Sequence, residues 1–116
     1  MPDACQIGLR KRGVCVIIPT YNNAGTIVDV VTRTQAYCAD VFVVLDGCTD
    51  DTLSRLEAMP QKPRCIVLEK NAGKGSALKA GFRLAKEAGF AYAITLDGDG
   101  QHYPEDIPLF LEANRR

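Results

Sequence analysis

Residues 96–102 read LDGDGQH, directly after the apolar run YAIT, so a strand ends by presenting Asp97, Asp99 and Gln101 at its carboxyl tip. Two carboxylates one residue apart, with an amide two positions further on, make a hard, oxygen-rich set. Such a set suits Mg²⁺ or Mn²⁺, and a metal held this way usually also grips substrate phosphates. The plainer reading is a polar loop in which an Asp caps the next helix. Two aspartates at the end of a buried strand repel without a cation, which favours the metal. A calcium loop of the EF-hand type is excluded: counted from Asp97, the turn position is His102 where Gly is needed, and the last ligand position is Pro108 where Glu is needed.

Three more polar motifs follow apolar runs. In NAGKGSALKAGF (71–82), Gly73 and Gly75 flank Lys74 just ahead of a helical pattern. Main-chain N–H groups, a helix dipole and an ammonium there make an anion site. It is not a P-loop, because that spacing needs Gly where Leu68 stands and Ser or Thr where Gly75 stands. The dinucleotide fingerprint fails at Leu78, and the alternative is an ordinary loop with a solvated Lys. In PTYNN (19–23), Pro19 releases a strand from its ladder, and Tyr21 with Asn22 offers a wall for a flat base. Asn22 or Asn23 can equally be a helix N-cap. Asp46, in DGCTDD (46–51), stands where an acidic residue accepts a bond from a nucleoside, or simply forms an Asp-Gly turn. His102, the one histidine, has no readable nucleophile partner and fits packing at a helix start as well as ligation.

The elements that must carry these motifs form a regular series. VCVII (14–18), VFVVL (41–45), CIVL (65–68) and YAITL (92–96) are nearly continuous apolar runs, expected as parallel strands buried on both faces. Helical patterns lie between them. The first covers about 24–37 and buries Ile27, Val30 and Val31. The second covers about 50–58, with Thr49 as N-cap and Asp50 and Asp51 in its first turn. The third covers about 75–88, turns Ala77, Leu78, Gly81, Leu84, Ala85 and Ala88 inward, and stops at Gly89. A fourth starts at Pro104 and turns Ile107, Phe110 and Leu111 inward. The order βαβαβαβα calls for a three-layer α/β sandwich around an open, mostly parallel sheet with Rossmann-like nucleotide-binding topology. Every polar motif then lies at the carboxyl edge of that sheet, where such folds bind ligands.

Composition narrows the function. The chain has 116 residues, with 47% apolar and 24% charged, enough for one small core. Its 14 basic and 14 acidic residues cancel, and no basic patch argues for nucleic acid. No apolar run approaches the roughly 20 residues needed to span a bilayer, and the start, MPDACQIGLRKRG, does not read as a signal peptide. The five cysteines form no CxxC pair, and several fall inside apolar runs. They read as reduced core cysteines of a cytoplasmic protein.

VIIPTYNN, VLDGCTDDT, NAGKGSALKAGF and LDGDGQHYPEDIP, in that order, resemble the N-terminal half of inverting family 2 glycosyltransferases with the GT-A fold. DxDxQH resembles the branch containing dolichyl-phosphate mannose synthase and the polyprenyl-phosphate glycosyltransferases. The resemblance runs from about Val14 to Leu111. It implies a nucleotide-sugar donor, UDP- or GDP-linked, a lipid phosphate as acceptor, and a divalent metal. It implies that Pro19 and Tyr21 border the base, that Asp46 bonds the base or ribose, and that Gly73 and Lys74 approach the donor. It makes Asp97 and Asp99 the candidate catalytic carboxylates. Asp97 then lies near the donor ribose or sugar, and Asp99 with Gln101 binds the metal. Leu45 and Cys48 depart from the family pattern, which often has Asp and Ser there.

On this reading, residues 1–13 are an N-terminal extension, and 14–116 are the nucleotide-sugar-binding half, cut before the acceptor half. The full-length form would associate with the inner face of a membrane. An uncovered sheet edge would invite a homodimer. Two other classes compete. One is a nucleotide-sugar-binding or assembly module without turnover. The other is a phosphohydrolase with a DxD nucleophile motif, which expects Thr or Val in place of Gln101 and leaves PTYN and Asp46 unexplained.

Overall fold

The computed structural model describes residues 12–97. Strand β1 (Val14–Thr20) is followed by helix α1 (Ile27–Gln35), β2 (Val41–Asp46), α2 (Thr52–Glu57), β3 (Arg64–Leu68), α3 (Lys74–Glu87) and β4 (Tyr92–Thr95). The expected helix from Pro104 lies outside the described residues, as do residues 1–11 of the expected extension.

All strand pairs are parallel, in the order β3-β2-β1-β4. The register aligns Val16 with Val41, Val14 with Tyr92, and Phe42 with Arg64. Alternation along the strands divides the core. Val14, Val16 and Ile18 of β1, with Val41, Val43 and Leu45 of β2, pack against Ile27, Val30 and Val31 of α1 and Leu56 of α2. The opposite set, Cys15, Ile17, Phe42 and Val44, packs against Ala77 and Ala85 of α3. Burying a side chain such as Ile17 or Ile18 stabilises the fold by roughly 1.5–3 kcal/mol.

α3 presses close because its inner stripe is small. A Cβ on Gly81 would sit 2.6 Å from Cγ2 of Ile17, so a larger residue there would push the helix off the sheet. Leu84 and Ala88, expected to face inward, are exposed. The buried positions of α3 are Ala77, Gly81 and Ala85, a narrower stripe spaced four apart.

β1 and β2 are buried along their whole length, as expected for central strands. β3 and β4 are not buried on both faces; Val67 and Tyr92 are more than half exposed. They flank the central pair in the strand order. The second helix also starts later than expected. Its N-cap is Asp51, not Thr49, and Asp50 lies outside its first turn. Oδ1 of Asp50 instead accepts the main-chain N–H of Thr52 and is bonded by the Thr52 hydroxyl.

Candidate functional site

The chain leaves β3 on one flank and crosses the whole sheet to β4 on the other, so the connections diverge at the carboxyl end of β1. A crevice opens there. It is a cleft of about 450 Å³ lined by Pro19, Thr20, Tyr21, Asn23, Asp46, Asn71, Gly73, Lys74, Ala77 and Asp97. Each of the four strands contributes the residues at its end or just beyond it. The six expected site residues within the described range, Pro19, Tyr21, Asp46, Gly73, Lys74 and Asp97, all line this one cleft. Asp99, Gln101 and His102 lie outside the described residues.

Pro19 does not end β1, which continues to Thr20 and stays paired with β2 through Thr20 and Leu45. The ladder to β4 stops earlier, at Ile17 and Thr95. The Ile17 carbonyl accepts Leu96 N–H, whereas Val16 N–H turns the other way, to the Asp40 carbonyl. Alternation therefore directs the missing N–H of Pro19 toward β4, whose ladder ends here, and leaves the pairing with β2 intact.

Beyond Thr20 the two asparagines act as staples. Asn23 Oδ1 accepts the Thr20 hydroxyl at 2.6 Å and Tyr21 N–H at 3.2 Å, which fixes the turn that holds the half-exposed Tyr21 ring at the cleft. Asn22 adopts φ +51°. Its Oδ1 accepts Thr49 N–H at 2.8 Å and Asp50 N–H at 3.2 Å, and its Nδ2 donates to Thr49 Oγ1 at 3.2 Å. Asn22 thus joins the loop after β1 to the loop after β2 and is not among the lining residues of the cleft. Neither asparagine caps α1, whose N-cap is Thr26. Cys48 serves the same junction: Asn22 N–H donates to its sulfur at 3.4 Å, and its thiol donates to the Thr20 carbonyl at 3.6 Å. Asp50 completes the junction by accepting Ala24 N–H at 3.3 Å. The Thr52 hydroxyl beside it holds the Asp50 carboxyl below the usual carboxylate range, with the main-chain donors adding to this.

Asp46 is 4% exposed, and its two carboxylate oxygens divide their work. Oδ1 accepts Ala72 N–H at 2.9 Å and Oδ2 accepts Gly73 N–H at 3.0 Å. The next residue must be glycine: Gly47 has φ +71°, and a Cβ there would lie 2.2 Å from the Asn71 nitrogen. Asp46 and Gly47 together seat the NAG loop against the end of β2. This corrects one expectation, because the Gly73 N–H is committed to Asp46 and to Asn71 Oδ1 and is not an open anion donor. The main-chain N–H groups of Lys74, Gly75 and Ser76, in the first turn of α3, have no carbonyl partner inside the helix.

Lys74, the first residue of α3, forms an ion pair with Asp97, which follows β4. The Asp97 side chain is 20% exposed and that of Lys74 58%. The cleft therefore holds a carboxylate paired with an ammonium of the chain. Among the described residues, no three Cys, His, Asp or Glu side chains are grouped to hold a metal. Asn71, Asn23, Thr20 and Ala77 were not picked out as candidates, although the first three lie within or beside motifs that were. Ala77 carries no sequence signal beyond a buried helical position.

Comparison with known proteins gives a consistent result. The model of the family described as Glycosyl transferase family 2 matches residues 15–116. An undecaprenyl-phosphate 4-deoxy-4-formamido-L-arabinose transferase of Pseudomonas paraeruginosa is 32% identical over 109 residues, which cover 85% of this chain and 31% of that protein. The enzyme of the same name from Edwardsiella ictaluri is 34% identical over 110 residues, covering 86% and 33%. The chain thus spans about a third of the length of these relatives. Among solved structures, glucosyl-3-phosphoglycerate synthase from Mycobacterium tuberculosis, in complex with Mn²⁺, UDP and glucosyl-3-phosphoglycerate, superposes with a TM-score of 0.75. It is 23% identical, with 95% of this chain and 42% of that chain covered, and the likeness is one of fold. No helix among the described residues is long and apolar enough to cross a membrane.

Proposed function

The chain belongs to glycosyl transferase family 2, and from that premise we propose that its cleft binds the nucleotide-sugar donor of a glycosyltransferase whose acceptor is a polyprenyl phosphate. One observation carries the reading: residues at the carboxyl ends of all four parallel strands converge on a single cleft that contains both an ammonium and a carboxylate. The names of the relatives supply the acceptor class, and the UDP and Mn²⁺ in the M. tuberculosis enzyme supply the donor class.

In this proposal Pro19 and Tyr21 border the base, and Asp46 faces the nucleoside while it holds the 71–73 loop. Lys74 and the first turn of α3 meet the diphosphate, where an ammonium and a helix N-terminus both favour negative charge. Asp97 lies near the ribose or sugar. Asp99 and Gln101 would hold the divalent cation, Mg²⁺ or Mn²⁺, and hard oxygen donors of this kind suit either ion. When bound, the cation offsets charge on the departing diphosphate.

The transfer is a single in-line displacement that inverts the anomeric carbon. An acceptor phosphate oxygen forms the new bond to that carbon as its bond to the donor phosphate oxygen breaks. The electron pair leaves with the nucleoside diphosphate, and Lys74 stabilises the charge that develops there. A phosphate monoester, with a second pKa near ~6, is already anionic at neutral pH and needs little help from a general base.

Calorimetry with UDP and GDP, with and without Mn²⁺, on this chain and on Asp99→Ala, tests the reading. Metal-dependent binding of one nucleotide, lost in the variant, is expected. A folded chain that binds neither nucleotide would refute it.

A further inference from the structure

The arrangement of Lys74 and Asp97 goes beyond donor binding as such. Lys74 stands at the first position of a 14-residue helix, where its ammonium and the helix N-terminus point to an anion. The anion it holds is Asp97, from the loop after β4, and both side chains line the same cleft. Asp97 is the less exposed partner, so it is the more fixed of the two, whereas the exposed Lys74 has a long, rotatable stem. The main-chain donor of the neighbouring loop that could have served an anion, Gly73 N–H, is taken by Asp46. The Lys74 ammonium is therefore the movable charge of the site.

We propose that Asp97 is a placeholder for the donor diphosphate: it holds Lys74 until a nucleotide diphosphate enters and then releases it to the phosphates. This rests on the donor-binding reading and adds a competition between a carboxylate of the chain and the ligand for one ammonium. The competition has a sign that simple structural support does not share, and its dependence on Lys74 separates it from simple repulsion. Without divalent metal, Asp97→Asn frees Lys74 and tightens diphosphate binding. An exposed ion pair of this kind corresponds to a change of up to about fivefold. Lys74→Met removes the ligand for the phosphates and weakens binding, and Lys74→Arg keeps most of it. In the Lys74→Met background, Asp97→Asn brings little or no gain, because the ammonium it would release is gone.

The test is calorimetry of the full chain with UDP and with inorganic pyrophosphate, in EDTA, for wild type, both single variants and the double variant. A gain from Asp97→Asn that shrinks in the double variant supports the placeholder. An equal gain in both backgrounds means bare repulsion and overturns it, while the donor reading stands. Weaker binding by Asp97→Asn overturns it too, because Asp97 would then contact the ligand directly. No binding of UDP or pyrophosphate by folded wild type in EDTA overturns the placeholder, whereas the donor reading falls only if UDP and GDP also fail to bind with Mn²⁺. Should a variant fail to fold, the Nζ-linked NMR signal of Lys74 in wild type decides: it shifts on addition of pyrophosphate, and a signal that stays put refutes the handover.

Discussion

Asp46 offers the sharpest quantitative test of how the cleft is built. Its buried carboxylate accepts two main-chain N–H groups, Ala72 at 2.9 Å and Gly73 at 3.0 Å. Hydrogen bonds to a charged group contribute about 1.5–3 kcal/mol each. Ala72 is exposed and Gly73 half-buried, so freed donors can turn to water, and the low end applies. Asp46→Ala is expected to cost about 2–3 kcal/mol, which for a domain of this size lowers Tm by about 10–20 °C. Asp46→Asn is expected to cost about half as much, because the carboxamide oxygen keeps one amide while its NH₂ opposes the other. Urea unfolding gives the energies, and hydrogen exchange at the Ala72 and Gly73 amides locates the loss. Nucleotide affinity should fall with loop protection, because Lys74 follows this loop directly. Stability within about 0.5 kcal/mol of wild type in Asp46→Asn, with both amides still protected, would refute the assignment.

Two further outcomes follow from titrating groups. Thr52→Val, at a fully buried position, removes the hydroxyl that depresses the Asp50 pKa, so that pKa should rise toward the ordinary carboxylate range in an NMR titration. Because the folded pKa is depressed, the contribution of Asp50 is present above its unfolded pKa and is lost as pH falls through the folded one; an unchanged titration would remove Thr52 as the cause. Cys15 is fully buried, and burial, aided by the Asp40 carboxylate, pushes its thiol up to about 11. A raised pKa stabilises the fold below the ordinary thiol value, and that stability is lost as pH rises toward about 11, by roughly 3 kcal/mol in all. Urea midpoints at pH 8 and pH 11 should therefore fall further in wild type than in Cys15→Ala, and equal falls would contradict it.

The sheet was legible because continuous apolar runs between polar motifs leave few topologies open, and the four runs did become four parallel strands. Burial on the flanks was not legible. CIVL and VFVVL look alike as strings, yet one is a flanking strand and the other central, and only the strand order decides which. The residues of the cleft were readable from the rule that ligands meet the carboxyl ends of strands, so Pro19, Tyr21, Asp46, Gly73, Lys74 and Asp97 were found together. Their individual duties were less readable. Whether an Asn caps a helix or joins two loops depends on what lies 26 to 28 positions away, as Asn22 shows with Cys48, Thr49 and Asp50. Thr49 looked like a cap because local patterns cannot report that Asp50 is occupied with Ala24 and Thr52.

Asp46 and Asp97 are the same residue type in the same cleft, and their partners give them opposite physical characters. Asp46 faces two main-chain amides, which are fixed dipoles of a seated loop. Its charge is stabilised by groups that cannot leave without unfolding that loop, so its substitution should register first as stability. Asp97 is paired with an ammonium on a flexible stem, a partner that can move to another anion at little cost. Its substitution should register first as a change in ligand affinity. On the donor-binding proposal the two carboxylates divide the work: Asp46 holds the loop in place before the ligand arrives, and Asp97 gives up its ammonium when it does. If thermal stability and nucleotide affinity were measured for both Asp→Asn variants, this division requires the larger stability loss at Asp46 and the metal-free affinity gain at Asp97. The reverse pattern would mean that the ligand takes over the amides held by Asp46, not the ammonium held by Asp97.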